Sequence, residues 1–188
     1  LNVSNGTQGG VVISEFLPDP LGDDDSALPG GEWVELYNPS SVVVDVSGYV
    51  LVDGEDDHEL YISGTTTRGG TSIPSGGYLV VYRNGDSDFG LNNNGFDRVR
   101  LFDGYPPSSG KLLGEVSYSG GVEGMSWSQV DGAWRKTTPT PGEINSVPVG
   151  ECDWKVEVAP QQTITNSSGN ITWQVSLSRV FGEAAMVS

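Results

Sequence analysis

Short runs of alternating apolar and polar residues recur along most of the chain. In the segment EWVELY, Val34 and Leu36 fall on one face of a predicted strand. The other face carries Trp33, Glu35 and Tyr37. The next run, VVVDV at residues 42–46, alternates in the same way before Gly48 interrupts it. Helical spacing fits neither run. The pattern therefore predicts consecutive β-strands.

Roughly eight or nine such runs lie between residues 11 and 145, a number that suits a single β-sandwich. They are VVISEFL, EWVELY, VVVDV, YVLV, HELYI, YLVVYR, RVRLF, EVSY and MSWSQV. Connections rich in Gly, Asn, Asp and Pro separate them, and several of these loops are long. Long loops on a rigid sandwich are where binding usually takes place. Two large side chains, Trp127 and Trp134, are predicted to anchor sheet against sheet.

The pattern changes after residue 145. Residues 1–10 are predicted to be a tail, 11–145 the sandwich and 146–151 a linker. Two further strand patterns, around Trp154 and Trp173, follow in residues 152–188. A few strands with one apolar face cannot close a sandwich of their own. We interpret this segment as the start of a second β-domain, and alternatively as a segment that exchanges strands with another subunit.

The charge of the chain argues against several classes of partner. It carries 25 acidic and 9 basic residues, for a formal net charge of -16 at pH 7. Such a surface repels phosphate backbones and anionic lipids, so nucleic acid is not expected as a partner. No apolar run is long enough to span a bilayer, and we expect no direct membrane insertion. The excess of carboxylates fits a solvated surface, adaptation to high salt or divalent cation sites.

Acidic residues gather in three loops, which makes calcium the sharpest chemical hypothesis. The clusters are Asp19, Asp23, Asp24, Asp25 and Glu32; Asp53, Glu55, Asp56 and Asp57; and Asp86, Asp88, Asn92 and Asp97. None has the spacing of an EF-hand. The preferred calcium ligands are Asp23, Asp24, Asp25, Asp86 and Asp88. The alternative is that these acidic loops are simply hydrated.

Catalytic constellations are not found in the sequence. His58 is the only histidine, and in GEDDHEL it is flanked by acids, as expected of a solvated surface residue. No glycine-framed serine accompanies it, and no phosphate-cradling loop or dinucleotide fingerprint is present. We therefore expect no enzymatic activity in this chain.

The ends of the chain carry four Asn-x-Ser/Thr sequons, at Asn2, Asn5, Asn166 and Asn170. They favour an extracytoplasmic protein, although short tracts of this kind also form turns. Cys152 is the only cysteine, which excludes an internal disulfide framework. It is interpreted as an inert thiol, and alternatively as half of a bridge to a partner.

Several motifs, in order, resemble the lamin tail domain family over most of residues 11–145. VVISEFLPDP resembles its first strand, and GEWVELYNPSSVVVDVSGYVLVDG its most typical block. IPSGGYLVVYRN, LNNNGFDRVRLFD with GEVSY, and WRKTTPTPGEIN resemble later elements. The resemblance implies an all-β, immunoglobulin-like β-sandwich and no particular activity. Because no heptad-bearing rod precedes the domain, it also implies the prokaryotic, secreted or cell-surface type of the family.

These expectations combine into one leading interpretation. The chain is predicted to be a non-enzymatic extracellular structural or adhesion module, with calcium as a candidate stabilising ion. Its partners would be a protein or glycan at a cell surface, or neighbouring copies of itself. One alternative is an accessory binding domain of a larger secreted enzyme. Another is a subunit of an extracellular filament assembled by strand exchange.

Overall fold

The computed structural model describes residues 10–146, and this range contains eleven β-strands and no helix. The strands are β1 (Val12–Leu17), β2 (Trp33–Tyr37), β3 (Val44–Asp45), β4 (Val50–Val52), β5 (Glu59–Tyr61), β6 (Ser72–Ile73), β7 (Tyr78–Tyr82), β8 (Phe96–Phe102), β9 (Leu112–Ser119), β10 (Ser126–Val130) and β11 (Ala133–Thr137). The prediction of an all-β fold is confirmed.

Two antiparallel sheets form the sandwich. The larger has five strands in the order β11-β10-β1-β2-β7, and the smaller has four in the order β5-β4-β8-β9. A separate ribbon pairs β3 with β6. Strands that are distant in sequence become neighbours, since β10 pairs with β1 and β8 with β4. Loops from distant parts of the chain are therefore held close to one another.

The core between the two sheets is apolar and closely packed. Phe16 is 0 % exposed, and its ring lies 5.0 Å from Tyr118 and 5.4 Å from Trp134. Trp127 packs against the same cluster from β10. Both predicted tryptophan anchors are confirmed, because each contributes a large apolar surface to the contact between sheets.

A β-bulge in β1 sets which of its side chains enter the core. Regular alternation would place Ile13 and Glu15 on the same face. The register with β2 instead shifts between Ile13 and Glu15, so that Ile13 and Phe16 both enter the core. Glu15 then lies on the opposite face of the five-stranded sheet, here called the outer face.

The run VVVDV forms a shorter strand than predicted. Only Val44–Asp45 pairs with β6, and Val42 and Val43 are 62 % and 64 % exposed. The reason lies in Asn38, whose side-chain amide donates hydrogen bonds to the carbonyls of Val42 (2.8 Å) and Ile73 (2.9 Å). These bonds hold the segment before β3 in a turn, so that it does not extend the pairing of β3 with β6.

Several predictions concern residues outside the described range. They are the second β-domain at 152–188, the linker at 146–151 beyond residue 146, the four sequons and Cys152. Within the described range, no helix is long and apolar enough to cross a membrane.

Candidate functional site

The three acidic loops predicted from the sequence meet at one cleft of about 630 Å³. We call it the acidic cleft. Its carboxylates come from all three loops: Asp24, Glu32, Asp53, Glu55, Asp88 and Asp97. Arg83 and His58 are the basic groups among its lining residues, so negative charge prevails. A concave site of one charge concentrates the field and favours a cationic ligand.

Three buried carboxylates fix the loop at residues 90–92, which forms one wall of the cleft. The successive backbone N–H groups of residues 90, 91 and 92 donate to Asp53 (2.9 Å), Glu32 (3.1 Å) and Asp97 (2.8 Å). These three side chains are 3 %, 1 % and 2 % exposed. Hydrogen bonds from backbone N–H groups to carboxylate oxygens offset part of the cost of burying these side chains. The loop is therefore held rigidly at three consecutive points.

Glu32 connects the first acidic loop to the third. Its Oε2 lies 3.0 Å from the guanidinium of Arg83, which also donates through Nε to the carbonyl of Asp86 (3.0 Å). Burial raises the pKa of Glu32 to about 8, although Arg83 lowers it in part. The carboxyl group thus changes its charge near neutral pH.

His58 pairs with Asp53, whose Oδ2 also accepts from the backbone N–H group of residue 90. Its Nδ1 lies 3.2 Å from Asp53 Oδ2, and its side chain is 37 % exposed. Partial burial works to lower the pKa of His58, but Asp53 and other nearby carboxylates outweigh this effect and raise it. Burial raises the pKa of Asp53, opposed by its hydrogen bonds to backbone N–H groups. His58 is thus an ion-pair partner as well as a partly solvated residue.

A second cavity of about 430 Å³ adjoins the first and is here called the acidic pocket. Its carboxylates are Asp19, Asp23, Asp24, Asp25 and Glu123. Asp24, Asn93 and the cationic Arg83 line both cavities. The Asn93 amide donates to Asp24 Oδ2 at 3.0 Å, whereas its Oδ1 is buried and has no hydrogen-bond partner within the described part of the chain. A buried acceptor without a donor calls for an explanation, and a bound cation would supply one.

The structure places four of the five preferred calcium ligands along the two cavities, and Asp86 lines neither of them. Asp23, Asp24 and Asp25 all line the acidic pocket, and Asp88 lines the acidic cleft. Asp86 Oδ1 accepts two backbone N–H bonds of its own turn, at 3.0 and 2.9 Å. Within residues 10–146, no group of three or more histidine, cysteine, aspartate or glutamate side chains is arranged to hold a metal ion. The calcium ligands stay predictions.

Sequence reasoning missed two buried glutamates on the outer face of the five-stranded sheet. Glu15 and Glu35 are both 0 % exposed. Residues 138–146, here called the strap, cross this face after β11. The strap donates to Glu15 from Thr140 N (3.1 Å) and to Glu35 from Gly142 N (2.6 Å). An acidic residue inside an otherwise apolar strand was the signal available in the sequence.

The sequence model of the Lamin Tail Domain matches residues 4–120 of the chain. The chain belongs to the lamin tail domain family. Lamin tail domains are immunoglobulin-like and non-catalytic, in keeping with a structural or binding module. Neither a curated protein nor a solved structure matches the chain.

The family match also locates the site within the lamin tail domain. Every residue that lines the acidic cleft falls inside the matched range of 4–120. Strands β10 and β11 and the strap follow it. They nevertheless complete the five-stranded sheet, since β10 pairs directly with β1. The resemblance of the chain to the family is confirmed.

Proposed function

We propose that this lamin tail domain is a non-enzymatic, extracellular structural or adhesion module that binds a cell-surface protein or glycan at its acidic cleft, with calcium as the bridging ion. One observation carries the proposal. Carboxylates from three loops that are far apart in sequence converge on a single cleft. Loops on a rigid sandwich are a common location for binding sites, and this convergence gives the site its charge.

The rigidity of the cleft supports a binding role. The loop at residues 90–92 is held by Asp53, Glu32 and Asp97, so a ligand does not have to order it. A preorganised wall lowers the entropic cost of association. Asp88 lines the cleft and is exposed, so its carboxylate remains accessible to a ligand, although its Oδ1 accepts from Ser87 Oγ (3.1 Å).

Calcium is proposed at the boundary of the acidic cleft and the acidic pocket. Asp24 offers a carboxylate there, and Asn93 offers a buried amide oxygen without a donor. Calcium takes six to eight oxygen ligands, including amide and backbone oxygens and water. Water would fill much of the shell, because the protein supplies few side-chain ligands. We expect a dissociation constant on the order of 10⁻⁴–10⁻³ M, as in extracellular modules.

Isothermal titration calorimetry of the chelator-stripped chain with calcium tests this proposal. Asp24→Asn is expected to weaken binding at least about tenfold, because it removes the carboxylate shared by both cavities. Asp57→Asn is the matched control, since it removes an exposed carboxylate of the second loop that does not line the cleft. No heat and no change in melting temperature with millimolar calcium would contradict the proposal. Equal weakening by both variants would contradict its location.

The absence of enzymatic activity is part of the proposal. His58 is engaged with Asp53, and no serine or cysteine is among the described residues that line the acidic cleft. The extracellular location rests on the four sequons of the sequence. Mass spectrometry of the protein from its native source would test it, since occupied sequons at Asn2 or Asn166 would support export. Recovery of the protein in the cytosolic fraction alone would contradict it.

A further inference from the structure

The outer face of the five-stranded sheet carries a buried row of polar side chains beneath the strap. Its members are Ser14, Glu15, Glu35, Ser126, Ser128 and Thr137, each at most 4 % exposed. Polar groups are rarely buried on a sheet face without a covering segment that satisfies them. The strap at residues 138–146 is such a segment, and the proposed function does not use it.

Glu15 links the strap to two strands, β1 and β10. Its carboxylate accepts hydrogen bonds from Ser128 Oγ (2.8 Å) on β10 and from the hydroxyl of Thr140 (3.0 Å) on the strap. Ser126 also donates to it. Four donors in total, counting the Thr140 N–H group, satisfy both of its oxygens. These hydrogen bonds replace the ones that an exposed Glu15 carboxylate would accept from water.

Glu35 lies beside Glu15 and has fewer donors. It accepts from Ser14 Oγ (2.7 Å) and from Gly142 N (2.6 Å). Burial raises the pKa of Glu35 to about 7; the hydrogen bonds from Ser14 and Gly142 lower it, and the charge of Glu15 raises it further. An ionised Glu35 under the closed strap therefore has too few hydrogen-bond donors to offset the cost of its burial. It also lies beside a second carboxylate, that of Glu15.

The charged and titratable groups around Glu35 come from every neighbouring element. Glu15 on β1 pairs with Glu35 in the register of the two strands. Burial, and to a smaller extent the charge of Glu35, raises the pKa of Tyr78 and Tyr82 on β7. Arg135 on β11 shares the outer face but is exposed. Glu143 of the strap is exposed as well. None of these is a cation bonded to Glu35.

We propose that the strap is a pH-responsive cover, which closes over the outer face when Glu35 is protonated and opens when Glu35 ionises. A protonated Glu35 fits the closed geometry. Its O–H group can donate to Ser14 Oγ, whose own hydroxyl turns to the carbonyl of Glu35 at 3.3 Å, while the other oxygen still accepts from Gly142. An ionised Glu35 gains water when the strap lifts.

The sign of the pH dependence follows from linkage. The closed form holds the Glu35 proton more tightly than the open form, whose carboxyl has its ordinary pKa of 4.5. The contribution of the Glu35 proton to strap closure is therefore complete below pH 4.5, and it is lost as the pH rises through about 7. With these two values, the opening constant rises on the order of 50-fold between about pH 5 and pH 8.

Amide hydrogen exchange of the full chain, followed by NMR and corrected for the intrinsic exchange rate, tests the proposal. In the wild type, protection of the Gly142 amide is expected to fall on the order of 50-fold from about pH 5 to pH 8. In Glu35→Gln, which keeps an acceptor for Gly142, protection should hardly change with pH. Glu143→Gln is the matched control, and it should behave like the wild type because Glu143 is exposed.

Two results would overturn the proposal. One is protection of Gly142 that does not depend on pH in the wild type. The other is the same pH dependence in Glu35→Gln as in the wild type. If Glu35→Gln does not fold, the side-chain carboxyl ¹³C shift of Glu35 in the wild type replaces it. A midpoint near its ordinary pKa of 4.5 overturns the proposal, and one near about 7 supports it.

Discussion

Replacement of Asp97 by alanine tests the role of the buried carboxylates as loop anchors. Asp97 is 2 % exposed, and its Oδ2 accepts from Asn92 N (2.8 Å) and from the hydroxyl of Tyr118 (3.1 Å). Burial, and next the charge of Asp97, raise the pKa of Tyr118, so this hydroxyl is a proton donor throughout the accessible pH range. Asp97→Ala leaves these two donors without the carboxylate, and it also removes the Oδ1 that accepts from Arg98 N (2.7 Å).

The expected loss follows from these two bonds. A buried hydrogen bond to a charged group contributes about 1.5–3 kcal/mol. The Tyr118 hydroxyl keeps one acceptor in the variant, because it also lies 3.2 Å from the carbonyl oxygen of Asn92, so only part of its stabilisation is lost. We therefore expect Asp97→Ala to lower the free energy of unfolding by about 3–4 kcal/mol. Asp97→Asn retains an acceptor oxygen and should lower it by only about 1–2 kcal/mol.

Urea denaturation at neutral pH, followed by tryptophan fluorescence, measures these losses. Asp57→Ala serves as the control, because Asp57 is an exposed carboxylate of a neighbouring loop and should change the free energy by no more than about 0.5 kcal/mol. The reasoning is refuted if Asp97→Ala destabilises the protein by less than about 1 kcal/mol, or no more than Asp57→Ala does.

Three further predictions concern the core, a close backbone approach and the pH dependence of stability. Phe16→Ala should cost about 3–5 kcal/mol in urea denaturation, because the ring is fully buried between the sheets. Gly54→Ala should cost about 1–3 kcal/mol, since the new methyl group would overlap the carboxylate of Asp97, whereas Gly64→Ala meets open space and should be nearly neutral. The melting temperature should fall by several degrees between about pH 5 and pH 9, because the raised pKa of Glu32, about 8, makes the folded state bind the proton more tightly than the unfolded state. Glu32→Gln should reduce this fall without abolishing it, because the raised pKa of Glu35, about 7, acts in the same direction. A melting temperature that rises over the same range would contradict the sign.

The sequence predicts the strands where alternation is regular and misjudges them where a local contact overrides it. Val34 and Leu36 lie in the core as their spacing indicates. In β1, however, alternation alone misplaces Glu15 and Phe16, because the bulge after Ile13 reverses the faces. A bulge depends on the register with a neighbouring strand, which a single run of residues does not encode.

The candidate site, too, could be predicted from the sequence only in part. The sequence identifies the three acidic clusters, but their convergence depends on strand order, which brings β8 beside β4. It also does not separate the carboxylates that anchor the loop, such as Glu32 and Asp97, from exposed ones such as Asp25. Burial against backbone N–H groups decides that role, and it arises only in the folded protein.

The strap was not predicted because its sequence, TPTPGEIN, reads as a turn-rich connection. Its partners Glu15 and Glu35 lie more than 100 positions away, since Thr140 and Gly142 are separated from them by 125 and 107 residues. Such contacts become visible only when the sheet that joins β1 to β2 and β10 is assembled.

Paramagnetic broadening tests whether a divalent cation binds where the three acidic loops meet. Manganese, as a paramagnetic substitute for calcium, would be titrated into the ¹⁵N-labelled full chain. We expect amide signals near Asp24, Asp53 and Asn93 to broaden together at low manganese, while those of the strap at residues 138–146 stay sharp. Broadening confined to one of the loops, or spread evenly over the acidic surface, would contradict a shared cation site.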